Sequence, residues 1–141
     1  MRIDRFEDLD AWKKAREMTK AVYLVTSTRN FSRDPGLKGQ IRSSAVSSMS
    51  NIAEGFERGG DRQFLQFLAV AKGSTGEVRS QLYVALDAGY LSPSEFDHFY
   101  GLAAETSRLI GGLMRYLKNA EIERARLKRE EKTGSKVRKN S

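Results

Sequence analysis

The sequence predicts an all-α protein, folded as an antiparallel up-down-up-down four-helix bundle. Apolar residues recur at intervals of three and four through four long segments, and residues that start or end helices bound these segments. No segment has the alternating pattern of a strand, and short connectors favour antiparallel neighbours. We therefore expect helices over residues 9–28, 35–58, 62–88 and 93–127.

The first helix is expected to begin after Asp8, whose carboxylate is placed to accept hydrogen bonds from the free N–H groups of the first turn. Lysines mark one side of the helix. The other side follows the helical period and is expected to face the core: Trp12, Ala15, Thr19, Val22 and Thr26.

The second helix should start at Asp34-Pro35, an acceptor at the N-cap followed by proline at the first helical position. Serines between positions 43 and 50 flank its apolar stripe, and their small side chains suit close packing against another helix. Gly59-Gly60 should end the helix, because glycine tolerates the left-handed conformation found there. The stripe itself comprises Leu37, Ile41, Ala45, Met49, Ile52 and Phe56.

The third helix has a centre of small residues, AVAKGSTGE, which makes it a natural partner for the serine-rich second helix. Asp61 is placed to cap it. Close packing is expected to compensate for Gly73 and Gly76, since glycine weakens a helix. The core stripe is expected to comprise Phe64, Phe67, Ala71, Ser74, Val78, Leu82 and Ala85.

The fourth helix should begin at a capping box formed by Ser92 and Glu95, with Pro93 at the first helical position. Its apolar face is broader than one helix pair requires. We therefore expect it to associate with further copies of the chain through an oligomer face comprising Leu102, Leu109, Leu113 and Tyr116.

The net charge of +7 is concentrated at the carboxyl end. The chain has 17 Lys/Arg and 16 Asp/Glu through Glu123, and 8 Lys/Arg and 2 Asp/Glu after it. We expect a bundle domain over residues 1–123 and a disordered basic tail over residues 124–141. The tail is either a solvated end or an arm that contacts nucleic-acid phosphates through Arg124, Arg126, Lys128, Arg129, Lys132, Lys136, Arg138 and Lys139.

Polar residues amid the small residues of the second and third helices are candidates for a shared network. We interpret them as structural contacts that fix the helix register, because a buried charge needs a partner. The alternative is a pocket for RNA or a small ligand. The residues are Arg42, Asn51, Glu54, Lys72, Ser74, Glu77 and Arg79.

The sequence contains no pattern typical of a catalytic site. It has no cysteine and one histidine, so Glu95-x-x-His98 supplies only half of a bundle di-iron motif. KGSTGE lacks the spacing of a phosphate-binding P-loop. We expect a non-enzymatic protein without cofactor or metal. With no long apolar run and no secretory leader in the given sequence, we expect it in the cytoplasm, not in a membrane.

Three segments carry a resemblance to a known family. They are DLDAWKKAREMTKAVYLVT, QIRSSAVSSMSNIAEGFERGG and FLQFLAVAKGSTGEVRSQLYVALDAGYLS, and the likeness covers Phe6 to Leu117. The sequence resembles the bacterial four-helix-bundle family named for proteins encoded in intervening sequences of ribosomal RNA genes. Ser48-Met49 stand where members usually carry Ile-Pro, and Ser43 stands where a second basic residue is common.

The resemblance implies a helical scaffold or adaptor that assembles as a ring-like homopentamer, with no known enzymatic activity. A related branch serves as accessory proteins of diversity-generating retroelements, which bind a reverse transcriptase and nucleic acid. For this chain the resemblance therefore implies self-association first. Binding of RNA, DNA or a partner such as a reverse transcriptase, through basic tails and the assembled ring surface, is the alternative.

Overall fold

Four α-helices and no strand occur in residues 2–139, the part of the chain that the computed structural model describes. Short 3-10 turns at Phe6–Asp8 and Phe31–Arg33 precede the first and second helices. The helices pack as an antiparallel up-down-up-down bundle, which confirms the predicted fold class. They are α1 (Asp10–Thr26), α2 (Pro35–Glu57), α3 (Asp61–Asp87) and α4 (Pro93–Lys139).

Two of the predicted helix starts are confirmed in detail. The Asp34 carboxylate accepts a hydrogen bond from the Leu37 N–H at 3.0 Å, with Pro35 at the first helical position of α2. At the start of α4, the Ser92 N–H donates to Glu95 at 2.9 Å, and the Glu95 N–H donates to the Ser92 hydroxyl at 3.1 Å. Local chemistry therefore determines both starts.

Two other predicted caps are wrong. Asp8 ends the first 3-10 turn, so that Leu9 is the N-cap of α1 and no side chain caps that helix. Asp61 lies inside the first turn of α3, after an N-cap at Gly60. Its carboxylate forms an ion pair with Arg124 of α4. In both places an aspartate near a helix start makes no capping hydrogen bond.

The carboxyl end also differs from the prediction. Helix α4 continues to Lys139 and does not end near residue 127, so residues 124–139 are helical where a disordered tail was expected. Arg126 forms ion pairs with Glu123 at 2.6 Å and with Glu130 at 2.7 Å, one helical turn away on either side. Such pairs stabilise a helix, and most residues of this segment are good helix formers.

The core consists of two apolar clusters at opposite ends of the bundle, separated by a layer of buried hydroxyl groups. One cluster surrounds Met18, Ile41 and Leu82, and the other surrounds Ile52, Leu68 and Ile110. Each helix contributes one residue between the clusters. These four residues, which we call the hydroxyl layer, are Thr19, Ser48, Thr75 and Thr106.

The hydroxyl layer is fully hydrogen-bonded. The Ser48 and Thr75 hydroxyls lie 2.8 Å apart, and the Thr75 hydroxyl also lies 2.8 Å from the Ala71 carbonyl oxygen. Thr19 donates across to the Ala45 carbonyl of α2 at 3.1 Å or back to the Ala15 carbonyl at 2.7 Å. Because a buried hydroxyl without a partner is costly, these bonds allow a polar layer inside the core.

Helices α2 and α3 form the most extensive helix pair, as their small residues predict. The closest approach is at Gly55, where an added Cβ would lie 2.7 Å from Phe67 Cβ and 3.0 Å from Phe64 Cδ1. The expectation of close packing at Gly73 and Gly76 is wrong, because an added Cβ at either would meet nothing within 4 Å. The glycine that the packing requires is therefore on α2.

Candidate functional site

The predicted polar network of α2 and α3 is divided among different faces. Arg42 turns toward α1, where its guanidinium donates to Thr26 Oγ1 at 2.8 Å and to Ser27 Oγ at 3.0 Å. Glu54 forms an exposed ion pair with Arg58, one turn along its own helix, at 2.8 Å. Neither side chain takes part in a shared α2–α3 site.

Two members of the predicted set, Ser74 and Glu77, bond across the α2–α3 interface, and Asn51 lies beside them. Asn51 donates to the Ser47 carbonyl at 2.8 Å, and the Ser47 and Ser74 hydroxyls are 2.8 Å apart. Ser44 approaches Glu77 at 3.4 Å. The Ser47–Ser74 and Ser44–Glu77 contacts join the two helices, whereas Asn51 bonds within α2. This arrangement is in line with the structural interpretation of these residues.

Lys72 and Arg79, the last two members, face α4. They line a groove of about 300 Å³ between α3 and α4, which we call the cationic groove. Two further cations come from α4, and small residues form the remaining wall. The lining residues are Lys72, Arg79, Ala104, Ser107, Arg108, Gly111 and Arg115.

Two of the four cations have partners of different kinds. Arg108 donates through Nε to Glu105 at 2.8 Å, and this hydrogen bond holds the pKa of Glu105 below its ordinary value. Arg79 donates through Nη2 to the Tyr100 hydroxyl at 2.8 Å, which lowers the pKa of Tyr100. The buried Nε of Arg79 has no hydrogen-bond partner in the described part of the chain.

Lys72 and Arg115 make no hydrogen bond or ion pair among residues 2–139. Their charged ends nevertheless lie close to one point. A Cβ added to Gly111 would be 3.6 Å from Arg115 Nη1 and 3.9 Å from Lys72 Nζ. The side chain that glycine lacks thus leaves space between two unpaired cations.

Aromatic side chains continue the α3–α4 face beyond Arg79. The Arg79 guanidinium lies 5.2 Å from the centre of the Tyr100 ring. The Phe96 ring centre is 4.8 Å from that of Tyr83 and 5.3 Å from that of Tyr100. Tyr83 is 50% exposed, so this aromatic cluster is open to solvent next to the cationic groove.

A second groove, on the other side of α4, contains most of the predicted oligomer face. This α1–α4 groove has a volume of about 420 Å³. Leu109 and Leu113 are half-buried in it, and Tyr116 is 60% exposed. Leu102 lies outside it and packs against the other end of the core. The lining comprises Ile3, Asp8, Leu9, Asp10, Ala11, Arg108, Leu109, Gly112, Leu113 and Tyr116.

The last part of α4, after its ion pair with Asp61, carries the basic residues that the sequence assigns to a tail. We call residues 125–139 the α4 extension. Leu127 and Val137 are 46% and 64% exposed there. Arg126 forms ion pairs with Glu123 and Glu130, and the side chain of Lys139 is outside the described residues. The other predicted contacts in the extension are exposed: Lys128, Arg129, Lys132, Lys136 and Arg138.

The described residues contain no cluster of three His, Asp or Glu side chains suited to a metal ion. His98 is exposed on α4, and Glu95 is engaged in the capping box. None of the helices in the described range is long and apolar enough to cross a membrane.

The α4 half of the cationic groove is absent from the residues singled out in the sequence, although the sequence contains a signal for it. Lys72 and Arg79 are seven residues apart, as are Arg108 and Arg115. Residues seven apart share one face of a helix, and α3 and α4 are antiparallel neighbours. Two matched pairs of this kind place four cations along one interhelical surface.

Comparison with known proteins supplies a family and a fold. The family model described as 23S rRNA-intervening sequence protein matches residues 7–112. The chain is similar to a solved protein of unknown function from the S23 ribosomal protein family of Bacteroides thetaiotaomicron. The two share 19% identity and a TM-score of 0.69, over 74% of this chain and 95% of that chain. No curated protein matches the sequence significantly.

Proposed function

The chain belongs to the 23S rRNA-intervening sequence protein family, and from that premise we propose that it is a non-enzymatic, homo-oligomeric helical scaffold. The observation that carries the proposal is the α1–α4 groove. It joins apolar side chains from both helices, and Tyr116 is 60% exposed beside it. The free energy falls when a partner covers exposed apolar surface and removes it from water.

A matching surface must bring apolar side chains, and positive charge favours it, because Asp8 and Asp10 line the groove while the one lining cation, Arg108, is paired with Glu105. The α4 extension of a second copy offers both. It carries exposed Leu127 and Val137 among exposed lysines and arginines. A contact between two different surfaces of the same chain is heterologous, and such contacts form a ring when the rotation between neighbouring copies closes. The family resemblance implies five subunits, so we propose a pentameric ring.

The proposal predicts the mass of the protein in solution. Sedimentation at micromolar concentration should give an assembly of several subunits, and a strict monomer would contradict the proposal. Tyr116→Glu should shift the assembly toward monomer, because it places a charge in the groove. Leu24→Glu is the matched control: Leu24 is 66% exposed on α1 and lies outside the groove, so this change should leave the mass unaltered.

A second candidate function is nucleic-acid binding by the α4 extension, favoured by the exposed cations along that helix. Lysines and arginines that contact phosphates give an affinity that falls steeply with salt. Deleting residues 125–141 should then lower the affinity for a labelled RNA oligonucleotide at least tenfold. Asp8→Asn/Asp10→Asn separates the two functions, since it should weaken assembly without weakening binding. RNA affinity that is unchanged by the deletion would rule out the extension as a binding element.

A further inference from the structure

The cationic groove combines charge and space in a way that the packing of the bundle does not require. Arg108 is compensated by Glu105, but Lys72 and Arg115 have no partner among the described residues. Both charged ends lie near the space above Gly111. Like charges held together repel one another, and an anion bound between them would remove that repulsion.

Donors for such an anion are already in place. Lysine offers three N–H donors and arginine offers five in a planar fork that matches the oxygens of a phosphate. The buried Nε of Arg79 lacks a hydrogen-bond partner within the described chain, and the Ser107 hydroxyl makes no bond there either. Unlike the hydroxyl layer, this site leaves a buried polar atom, Arg79 Nε, without a hydrogen-bond partner among the described residues.

The neighbouring aromatic cluster indicates the kind of molecule that carries the anion. Arg79 lies between the cationic groove and the partly exposed ring of Tyr83, which follows one turn later on α3, about 6 Å along the helix. A flat ring that is open to solvent beside cations is the arrangement used to stack a nucleobase while the phosphates are neutralised.

The length of this surface favours a strand over a lone nucleotide. Lys72 and Tyr83 are separated by about 16 Å along α3, several times the rise of about 3.4 Å between nucleotides in a stacked strand. We infer that the cationic groove binds a short run of single-stranded nucleic acid, with a phosphate between Lys72 and Arg115 and a base against Tyr83. This inference concerns the bundle itself and depends on neither the α1–α4 groove nor the α4 extension.

The test measures binding of a labelled, unpaired RNA decamer to the full chain. Lys72→Gln/Arg115→Gln should lower affinity at least tenfold at low salt. It should also reduce the slope of log affinity against log salt by about 0.7, for the one phosphate that loses both cations. Lys13→Gln/Lys20→Gln removes the same charge from exposed positions on α1 and should bind almost as well as the unchanged protein. Equal losses in both double variants would overturn the inference.

The aromatic half of the site has its own test. Tyr83→Ala should lower RNA affinity about tenfold, whereas Tyr83→Phe, which keeps the ring, should bind like the unchanged protein. Thermal unfolding of each variant shows that it is folded. Inorganic phosphate serves as the second probe: if it displaces the RNA at low millimolar concentration and Tyr83→Ala has no effect, the groove is an anion site only and the inference fails.

Sedimentation of the same variants keeps this inference separate from the proposed scaffold. Lys72 and Arg115 line the cationic groove but not the α1–α4 groove, although Arg108 lines both. The Lys72/Arg115 double variant should therefore keep the assembly mass of the unchanged protein while its RNA affinity falls. A wild-type protein that assembles but binds no RNA refutes the inference alone, and a monomer that binds RNA refutes the scaffold alone.

Discussion

The two sides of α3 treat polar residues in opposite ways. Toward α2, hydroxyl groups pair with one another at short range, as Ser47 with Ser74 and Ser48 with Thr75, both at 2.8 Å. Toward α4, Lys72 has no partner among the described residues, and Arg79 keeps a buried Nε without one. On the first surface these hydroxyl pairs are satisfied within the chain, although the nearby Gln81 Oε1 is buried without a hydrogen-bond partner among the described residues. On the second surface, we infer that a bound anion supplies the missing partners.

This contrast separates structural polarity from functional polarity. Both surfaces are rich in polar residues in the sequence, so composition does not distinguish them. What distinguishes them is whether each donor finds an acceptor inside the fold, because a satisfied group gains little from a further partner. The α2–α3 interface should therefore respond to substitution through stability, and the α3–α4 surface through binding.

The largest expected effect on stability is at the closest point of the α2–α3 interface. In Gly55→Ala the new methyl group would lie 2.7 Å from Phe67 Cβ, so the two helices must move apart. We expect a loss of about 1–3 kcal/mol in the free energy of unfolding, measured by urea denaturation.

Gly73→Ala is the matched control for this substitution. It makes the same chemical change on α3, where the methyl group meets nothing within 4 Å. It should stabilise the protein by up to about 1 kcal/mol, because alanine is the better helix former. Equal effects at the two glycines would mean that α2 and α3 do not approach closely at Gly55.

The next effect tests whether the hydroxyl layer acts as a unit. Thr75→Val leaves the buried Ser48 hydroxyl without its partner on α3 and should cost about 1–2 kcal/mol. Ser48→Ala should cost a similar amount. The double variant removes both hydroxyls, so its loss should be clearly smaller than the sum of the two single losses. Strictly additive losses in a double-mutant cycle would show that the pair is not coupled.

Much of the fold could be predicted from the sequence because it depends on local patterns. Apolar periodicity located all four helices, and the start of α2 at Asp34-Pro35 follows from capping chemistry. The predicted end of α4 was wrong because a charged segment without an apolar face has the composition typical of disordered chains. Its helix is supported instead by pairs such as Arg126 with Glu130, which a count of charges does not reveal.

The sites were harder to predict because they depend on direction as well as position. Lys72 and Ser74 are two residues apart, which places them about 200° apart around the helix, so they belong to different interfaces. The sequence-based prediction placed both residues in one network, although they lie on two different surfaces of α3. The partner helix decides the outcome, since Ser74 meets a hydroxyl on α2 and Lys72 lies near Gly111 of α4.

The third prediction concerns stability at the cationic groove. Lys72→Gln/Arg115→Gln removes two exposed charges that make no bond in the described chain. Its free energy of unfolding should change by no more than about 0.5 kcal/mol, because surface residues without partners contribute little. A loss of stability comparable to that of Thr75→Val would show that these cations stabilise the fold. The two sides of α3 would then not differ in the way described.

The smallest expected effect concerns two tyrosines whose neighbours carry opposite charges. The Tyr90 hydroxyl donates to Asp34 at 3.0 Å, and this bond raises the pKa of Tyr90, whereas the bond from Arg79 lowers the pKa of Tyr100. In a tyrosine titration followed by ultraviolet absorbance, Tyr100→Phe should remove an early step and Tyr90→Phe a late one. The reverse order would contradict both assignments.

The same two bonds give opposite dependences of stability on pH. The Tyr90 bond needs the protonated phenol, so its contribution is complete below the ordinary tyrosine pKa of 10.0 and is lost as pH rises through the raised value. The Tyr100 contribution grows as the phenol ionises beside Arg79, so it is present above pH 10.0 and is lost as pH falls through the lowered value. Unfolding of the Tyr90→Phe variant should therefore approach that of the unchanged protein only at strongly alkaline pH, whereas Tyr100→Phe should diverge from it there.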